Sequence, residues 1–247
     1  MPLSIVSCVS RSTVARVVYK AKPGGGGSVI LPDVTNYVFY TKGTSSTVPT
    51  NDISQNLTIV SNSGWGGAPQ MVYDLSRGYV FNFPGNTAGG TAYQLSCGLY
   101  VNLTTPTLTS RCVWMKITTA QGHICSSGAT NSYFSSANIV SGRYGATTTT
   151  PYTIDSIWHH FVYTVDATTV SSTTCVSYID GVLNQTRTAN STTSDSGQIG
   201  LGILTGSPGI RNGTAPNSLF DDWRIYNYVL TPAQVLTIYN ATKNKIF

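Results

Sequence analysis

Hydrophobic and polar positions alternate with a period of two through much of the chain. Tyr79, Phe81 and Phe83 alternate with Val80 and Asn82, and Cys112, Trp114 and Lys116 with Val113, Met115 and Ile117. That spacing is the pleat of a strand, in which successive side chains point to opposite faces. From Trp158 to Val165 both sets are largely bulky, the pattern of a central strand covered on both faces. The run Cys175–Leu183 contains Asp180-Gly181, two residues that tolerate positive φ, and so predicts a tight hairpin. Gln198 to Leu204 and Phe220 to Tyr226 predict two further strands.

One segment follows a helical rule instead. Thr231-Pro232-Ala233-Gln234 places Thr at the N-cap, Pro at the first helical position and Gln at the third, a capping box. Leu230 and Val235 can close a hydrophobic staple across it. Val235, Leu236, Ile238 and Tyr239 supply an apolar face, which predicts two to three turns docked on the edge of the sandwich.

Composition agrees with strands. Charged residues make up 9% of the 247, against a usual quarter. There are nine Asp, no Glu and six Lys, a poor supply for helix surfaces, whereas 35 Thr, 24 Gly and 15 Tyr suit strands and turns. Apolar residues at 40% can still build a core. The missing Glu also excludes any mechanism that needs one as acid, base, nucleophile or metal ligand.

The net charge of +5 is unevenly placed. Arg11, Arg16, Lys20 and Lys22 lie in the first 22 residues, which hold no acid, and Lys243 and Lys245 lie in the last five. Between them stand eight basic residues against nine Asp, a net of −1. A neutral body does not carry the basic patch of a nucleic-acid reader. Residues 1–28 therefore form a basic arm and a Gly-rich linker, Gly24 to Gly27, ahead of one domain over 29–247. The basic residues follow the apolar start rather than precede it, which is not the order of a signal peptide, and no stretch approaches a membrane span.

Five Cys at irregular spacing (Cys8, Cys97, Cys112, Cys125, Cys175) do not form a disulfide scaffold; buried thiols are expected, with a Cys112–Cys125 bridge as the alternative. Six N-x-S/T sequons, at Asn56, Asn102, Asn184, Asn190, Asn212 and Asn240, are close to what chance gives in a chain this rich in Ser and Thr.

The run Trp158-His159-His160-Phe161-Val162-Tyr163-Thr164-Val165-Asp166, then Ser177-Tyr178-Ile179-Asp180-Gly181-Val182-Leu183, resembles the paired strands of laminin-G-like, concanavalin A-like domains. Phe220-Asp221-Asp222-Trp223-Arg224-Ile225-Tyr226, leading into Leu230-Thr231-Pro232, resembles the closing strand and short helix of that family. The resemblance implies an all-β jelly-roll sandwich of two antiparallel sheets, about a dozen strands in all, with one short C-terminal helix. The family includes lectins, adhesion modules, glycoside hydrolases and structural domains, so fold alone does not fix function. The laminarinase-like hydrolases use paired Glu, which this chain lacks.

The remaining candidates weigh against catalysis. His159 and His160 read as structural, with ring nitrogens bonded to backbone or to Asp221 or Asp222, and no G-x-S-x-G elbow offers a nucleophile. Asp221-Asp222 lacks a D-x-D-x-D-G loop, and Arg224 is a ready partner for one carboxylate. Cys112, His123 and Cys125 lack a fourth zinc ligand. No metal or cofactor is expected. Trp65 and Tyr144, in Gly-flanked loops, are the candidates for stacking a sugar ring. Arg11, Arg16, Lys20 and Lys22 are the candidates for meeting an acidic partner surface. The expectation is a non-catalytic assembly module of a virus particle, a minor capsid or surface protein that contacts other virion proteins or neighbouring subunits. The alternative is a lectin-like carbohydrate-binding or adhesion protein at the cell surface or outside the cell.

Overall fold

The computed structural model describes residues 37–41, 57–60, 70–83, 98–102, 107–118, 123–127, 130–135, 138–143, 146–169, 172–190, 198–202 and 218–244. The basic arm with Arg11, Arg16, Lys20 and Lys22, the loop aromatics Trp65 and Tyr144, and Cys8 and Cys97 lie outside the described residues.

The strands in chain order begin with β1 (Tyr37–Thr41), β2 (Leu57–Val60), β3 (Gln70–Asp74), β4 (Gly78–Phe83) and β5 (Gly98–Asn102). Then come β6 (Leu108–Lys116), β7 (His123–Ser127), β8 (Thr130–Ser135), β9 (Asn138–Arg143) and β10 (Ala146–Pro151). The last five are β11 (Trp158–Thr169), β12 (Ser172–Ile179), β13 (Val182–Ala189), β14 (Gln198–Leu201) and β15 (Ser218–Tyr226), followed by helix α1 (Pro232–Thr242).

Two antiparallel sheets result. The first runs β13-β12-β11-β6-β15-β4-β3, with β1 also on β15, and the second runs β10-β9-β8-β7-β14-β5-β2. Strands β3–β4, β7 through β10, and β11 through β13 pair as neighbours in sequence, while β6 sits between β11 and β15 only by long crossovers. Strand β1 lies directly beside the closing strand, Tyr37 opposite Tyr226 and Thr41 opposite Trp223.

The main core fills the space between the sheets. Val113, Met115, Phe161, Tyr163, Phe220, Trp223 and Ile225 from the first sheet meet Ile124, Ile139, Ile199 and Leu201 from the second. A second apolar layer lies on the outer face of the first sheet. There Cys112, Val162, Tyr178 and Tyr226 pack under Leu230, Val235 and Ile238. The helix thus docks on a sheet face, not on the sandwich edge as its pattern suggested. The bulky second parity of β6, β11 and β15 needs a cover, and α1 is that cover. Thr231 caps it as expected, with its side chain on the Gln234 N–H and the Gln234 side chain on the Thr231 N–H.

Cysteine pairing is settled by the same two layers. Cys112 faces outward beneath the helix and Cys125 faces the inter-sheet core, so a Cys112–Cys125 bridge is not formed. Cys112, Cys125 and Cys175 are buried thiols, none of them in a disulfide. Burial pushes the Cys125 thiol up to about 12, so it stays protonated and unreactive at neutral pH.

Candidate functional site

The Asp-Asp pair of the closing strand is divided between two arginines. A bulge between Asp221 and Arg224 leaves Asp222 at φ +53° and returns Trp223 to the inner face. Asp222 then accepts both forks of Arg224 at 2.8 Å, and Asp221 accepts Arg77 Nε at 2.8 Å. All four side chains are buried. The pair is a structural ion-pair set and not a cation site. Among the described residues, no three His, Cys, Asp or Glu side chains are placed to hold a metal ion.

Arg77 belongs to the β3–β4 turn, and no local pattern announced it. Its guanidinium lies over the Trp114 ring at 4.3 Å and the Trp158 ring at 5.3 Å. Arg77 Nη1 also donates to the Thr242 carbonyl at 3.2 Å, while Trp114 Nε1 donates to Thr242 Oγ1 at 2.9 Å. On the same turn Asp74 takes Lys116 Nζ at 3.1 Å. One arginine therefore fastens a hairpin turn and the C-terminus of α1 to the outer face.

The two histidines part company. His160 is buried beside Trp114 and Tyr239, with ring centroids 5.1 and 6.2 Å away. Burial holds its ring well below the usual value, down to about 3, so it is neutral. His159 is only partly covered and stands between two carboxylates: Nδ1 is 2.7 Å from Asp180 Oδ2 and Nε2 is 3.2 Å from Asp155 Oδ2. Neither histidine bonds Asp221 or Asp222, contrary to the sequence-based expectation. Ionised carboxylates only accept, so both contacts together require an imidazolium. The Asp180 bond raises the His159 pKa, partial burial opposes it, and Asp155 adds to the rise. For Asp155 a small desolvation cost is outweighed by the Ile157 N–H and the His159 ring, which lower its pKa.

Asp180 also fixes the turn it sits in. Its other oxygen accepts the His160 N–H at 2.8 Å, and its own N–H donates to the His160 carbonyl at 2.9 Å. Asp180 and Gly181 take φ of +52° and +79°, the positive-φ turn that the sequence predicted. A Cβ on Gly181 would also meet Leu236 and Tyr239 at 3.0 and 3.1 Å.

This corner of the first sheet carries most of the exposed large apolar side chains among the described residues. Ile157 is 55% exposed, Val182 66%, Leu183 52% and Leu236 46%. Leu75, at 84%, stands on the turn that Arg77 holds against Trp158; Tyr73 is the remaining one, on edge strand β3. Exposed apolar groups on and beside turns that ion pairs hold in place suit a contact surface better than a loose loop. No pattern along the chain announces this cluster, since an isolated Ile or Leu near a turn looks the same whether it is buried or exposed. Trp65, Tyr144 and the arm residues lie outside the described residues, so the corner stands as a separate candidate.

Comparison with known proteins supports the architecture. The family described as the concanavalin A-like lectin/glucanases superfamily (Laminin_G_3) matches residues 87–236. No curated protein sequence matches the chain. Among solved structures, the binding domain of Paraclostridial Mosquitocidal Protein 1 is similar at TM-score 0.59 and 16% identity, over 83% of this chain and 52% of that one. The binding domain of botulinum neurotoxin DC, in complex with rat synaptotagmin II, is similar at 0.57 and 13%, over 84% and 52%. A structure of botulinum neurotoxin type C, whose cell entry depends on interaction with two ganglioside molecules, is similar at 0.52 and 12%, over 76% and 46%. The chain thus spans about half the length of these structures, and at such identities the likeness is one of fold. By its family match and its two-sheet jelly roll with a covering helix, the chain belongs to the concanavalin A-like lectin/glucanase superfamily, in its laminin-G branch.

Proposed function

We propose that the chain is a non-catalytic binding module that contacts a protein at the sheet end around Ile157 and the Asp180-Gly181 turn, with Val182 on the inner side of that end and Leu183 and Leu236 on its helix side. The observation that carries this reading is the exposure of these aliphatic groups beside turns and a helix that Asp180, His159 and Arg77 hold in place. Sugar recognition favours flat aromatic faces with polar groups around them. The corner is aliphatic, which suits a protein surface better. The absence of Glu from the whole sequence removes the paired-Glu hydrolase chemistry of the wider family.

Screening the full chain against a glycan array and a displayed peptide library tests the choice. The reading expects peptide ligands whose binding is lost in Ile157→Ser with Leu183→Ser. Strong glycan binding that survives these substitutions would instead favour the lectin-like alternative, with Trp65 and Tyr144 as the residues to change next. As the setting for such contacts we propose a virus particle, on composition alone: a body poor in charge and rich in Ser, Thr, Gly and Tyr, with a basic arm. Quantitative mass spectrometry of purified particles tests that setting by a fixed copy number.

A further inference from the structure

The corner is acidic as well as apolar. Among the described residues Arg77 takes Asp221, Arg224 takes Asp222, Lys116 takes Asp74 and Asp166 accepts from the Thr168 N–H and hydroxyl, whereas Asp155 and Asp180 share the single ring of His159. Both carboxylates keep about a third of their side chains open, at 32% and 30%. Each is followed by an exposed aliphatic residue two positions on, Ile157 and Val182. One imidazolium between two carboxylates leaves a net charge of −1 there, open to another cation. Besides these two acids, the edge of the Tyr152 ring faces His159, at 5.3 Å. The fitting occupant is a peptide with Lys or Arg interleaved with aliphatic residues.

The chain contains such a peptide. Residues 1–22 hold Arg11, Arg16, Lys20 and Lys22, no acid, and Leu3, Ile5, Val6, Val9, Val14, Val17 and Val18. Resting on the reading of the corner as a protein-binding surface, we propose that its occupant is the N-terminal arm of this chain, in the same copy or a second one. Basic side chains would meet Asp155 and Asp180, and Val and Ile side chains would lie on Ile157 and Val182. Reach permits the same copy. Strand β1 begins at Tyr37 in the row of Tyr226 and Ser110, six residues along β6 from Lys116 and three strands from β11. Strand rise and spacing make that gap roughly 25 Å. The segment from Lys22 to Tyr37 spans up to about 50 Å when extended.

Zero-length carbodiimide coupling of the full chain, read by mass spectrometry, tests the proposal. The expected result is Lys20 or Lys22 joined to Asp155 or Asp180 in preference to any other carboxylate, with the yield falling at high salt as screening tightens. Mixing isotope-labelled and unlabelled protein tells the two sources apart, since only contacts between copies give mixed pairs. In parallel, replacing the four arm cations with Ser in the full chain should speed amide exchange around Ile157 and Val182, without lowering the melting temperature. Coupling that goes to other aspartates, or none at all, together with unchanged exchange, overturns the arm as occupant. Peptide-library ligands that still map to the corner would then leave the binding reading standing. If those ligands map elsewhere, the binding reading fails as well.

Discussion

The carboxylate of Asp180 holds the His159 ring at 2.7 Å with one oxygen and the His160 N–H at 2.8 Å with the other. One turn residue therefore positions two chain neighbours whose rings sit in opposite environments. His159 is stabilised as a cation between Asp180 and Asp155, and His160 is kept neutral by burial.

Opposite pH responses follow. The folded pKa of His159 is raised above 6.5, so its contribution is fully present below about pH 6.5 and is lost as pH rises through the folded value. His160 is lowered from 6.5 to about 3. Its contribution is present above 6.5, declines below that and is gone near 3. Melting temperatures against pH should show His159→Gln destabilised mainly on the acid side. His160→Gln should lose the part of the acid sensitivity that wild type shows between pH 6.5 and 3. Parallel curves for both variants would contradict the assignment.

The buried and open ion pairs should differ sharply. Arg77 and Asp221 are almost fully enclosed, whereas Lys116 remains 29% exposed beside Asp74. Arg77→Met removes the buried guanidinium that faces the Asp221 carboxylate and should cost about 3–5 kcal/mol. Lys116→Met should cost about 1 kcal/mol or less. Denaturant titration of the two variants gives the comparison, and equal losses would mean that Arg77 is not the fastener described.

Gly181→Ala should destabilise by about 1–2 kcal/mol from the left-handed backbone alone, and by more where the new methyl meets Leu236 and Tyr239. Gly142→Ala on β9 should also destabilise, because its Cβ would fall 2.7 Å from Thr147 Oγ1 and 3.0 Å from the Ala146 carbonyl. A thermal melt of either variant that matches wild type would place these turns and strands wrongly.

Trp223→Ala should cost about 3–5 kcal/mol, since Trp223 is fully buried between the sheets. Thr231→Ala removes only the cap of an exposed helix start and should cost about 1 kcal/mol. If the order in denaturant titration is reversed, the inter-sheet core is not where stability resides.

Local rules made much of the fold legible. The both-faces-bulky run from His160 to Val165, the Asp180-Gly181 turn and the capping box at Thr231 each follow from spacing over a few residues. What escaped was set by distant partners. Arg77 meets Asp221 across 144 positions, and nothing near either residue signals the pairing. The bulge at Asp222 reverses the parity that Asp221-Asp222-Trp223 would otherwise show, so the facing of Trp223 was not readable. The helix was placed on an edge because the apolar outer face of β6 and β11 looked like part of one core. Trp158, which reads as interior, is only half-buried under Arg77. The exposed corner was invisible because exposure of Ile157 and Val182 depends on what fails to cover them.

The central claim is that this corner is the surface by which the chain binds. Hydrogen exchange of the full chain, with and without a peptide chosen from a displayed library, measures it most directly. The account predicts slower exchange confined to Ile157–His160 and Asp180–Leu183, removed by Ile157→Ser with Leu183→Ser. Slowing that falls on the second sheet and persists in that variant would contradict it.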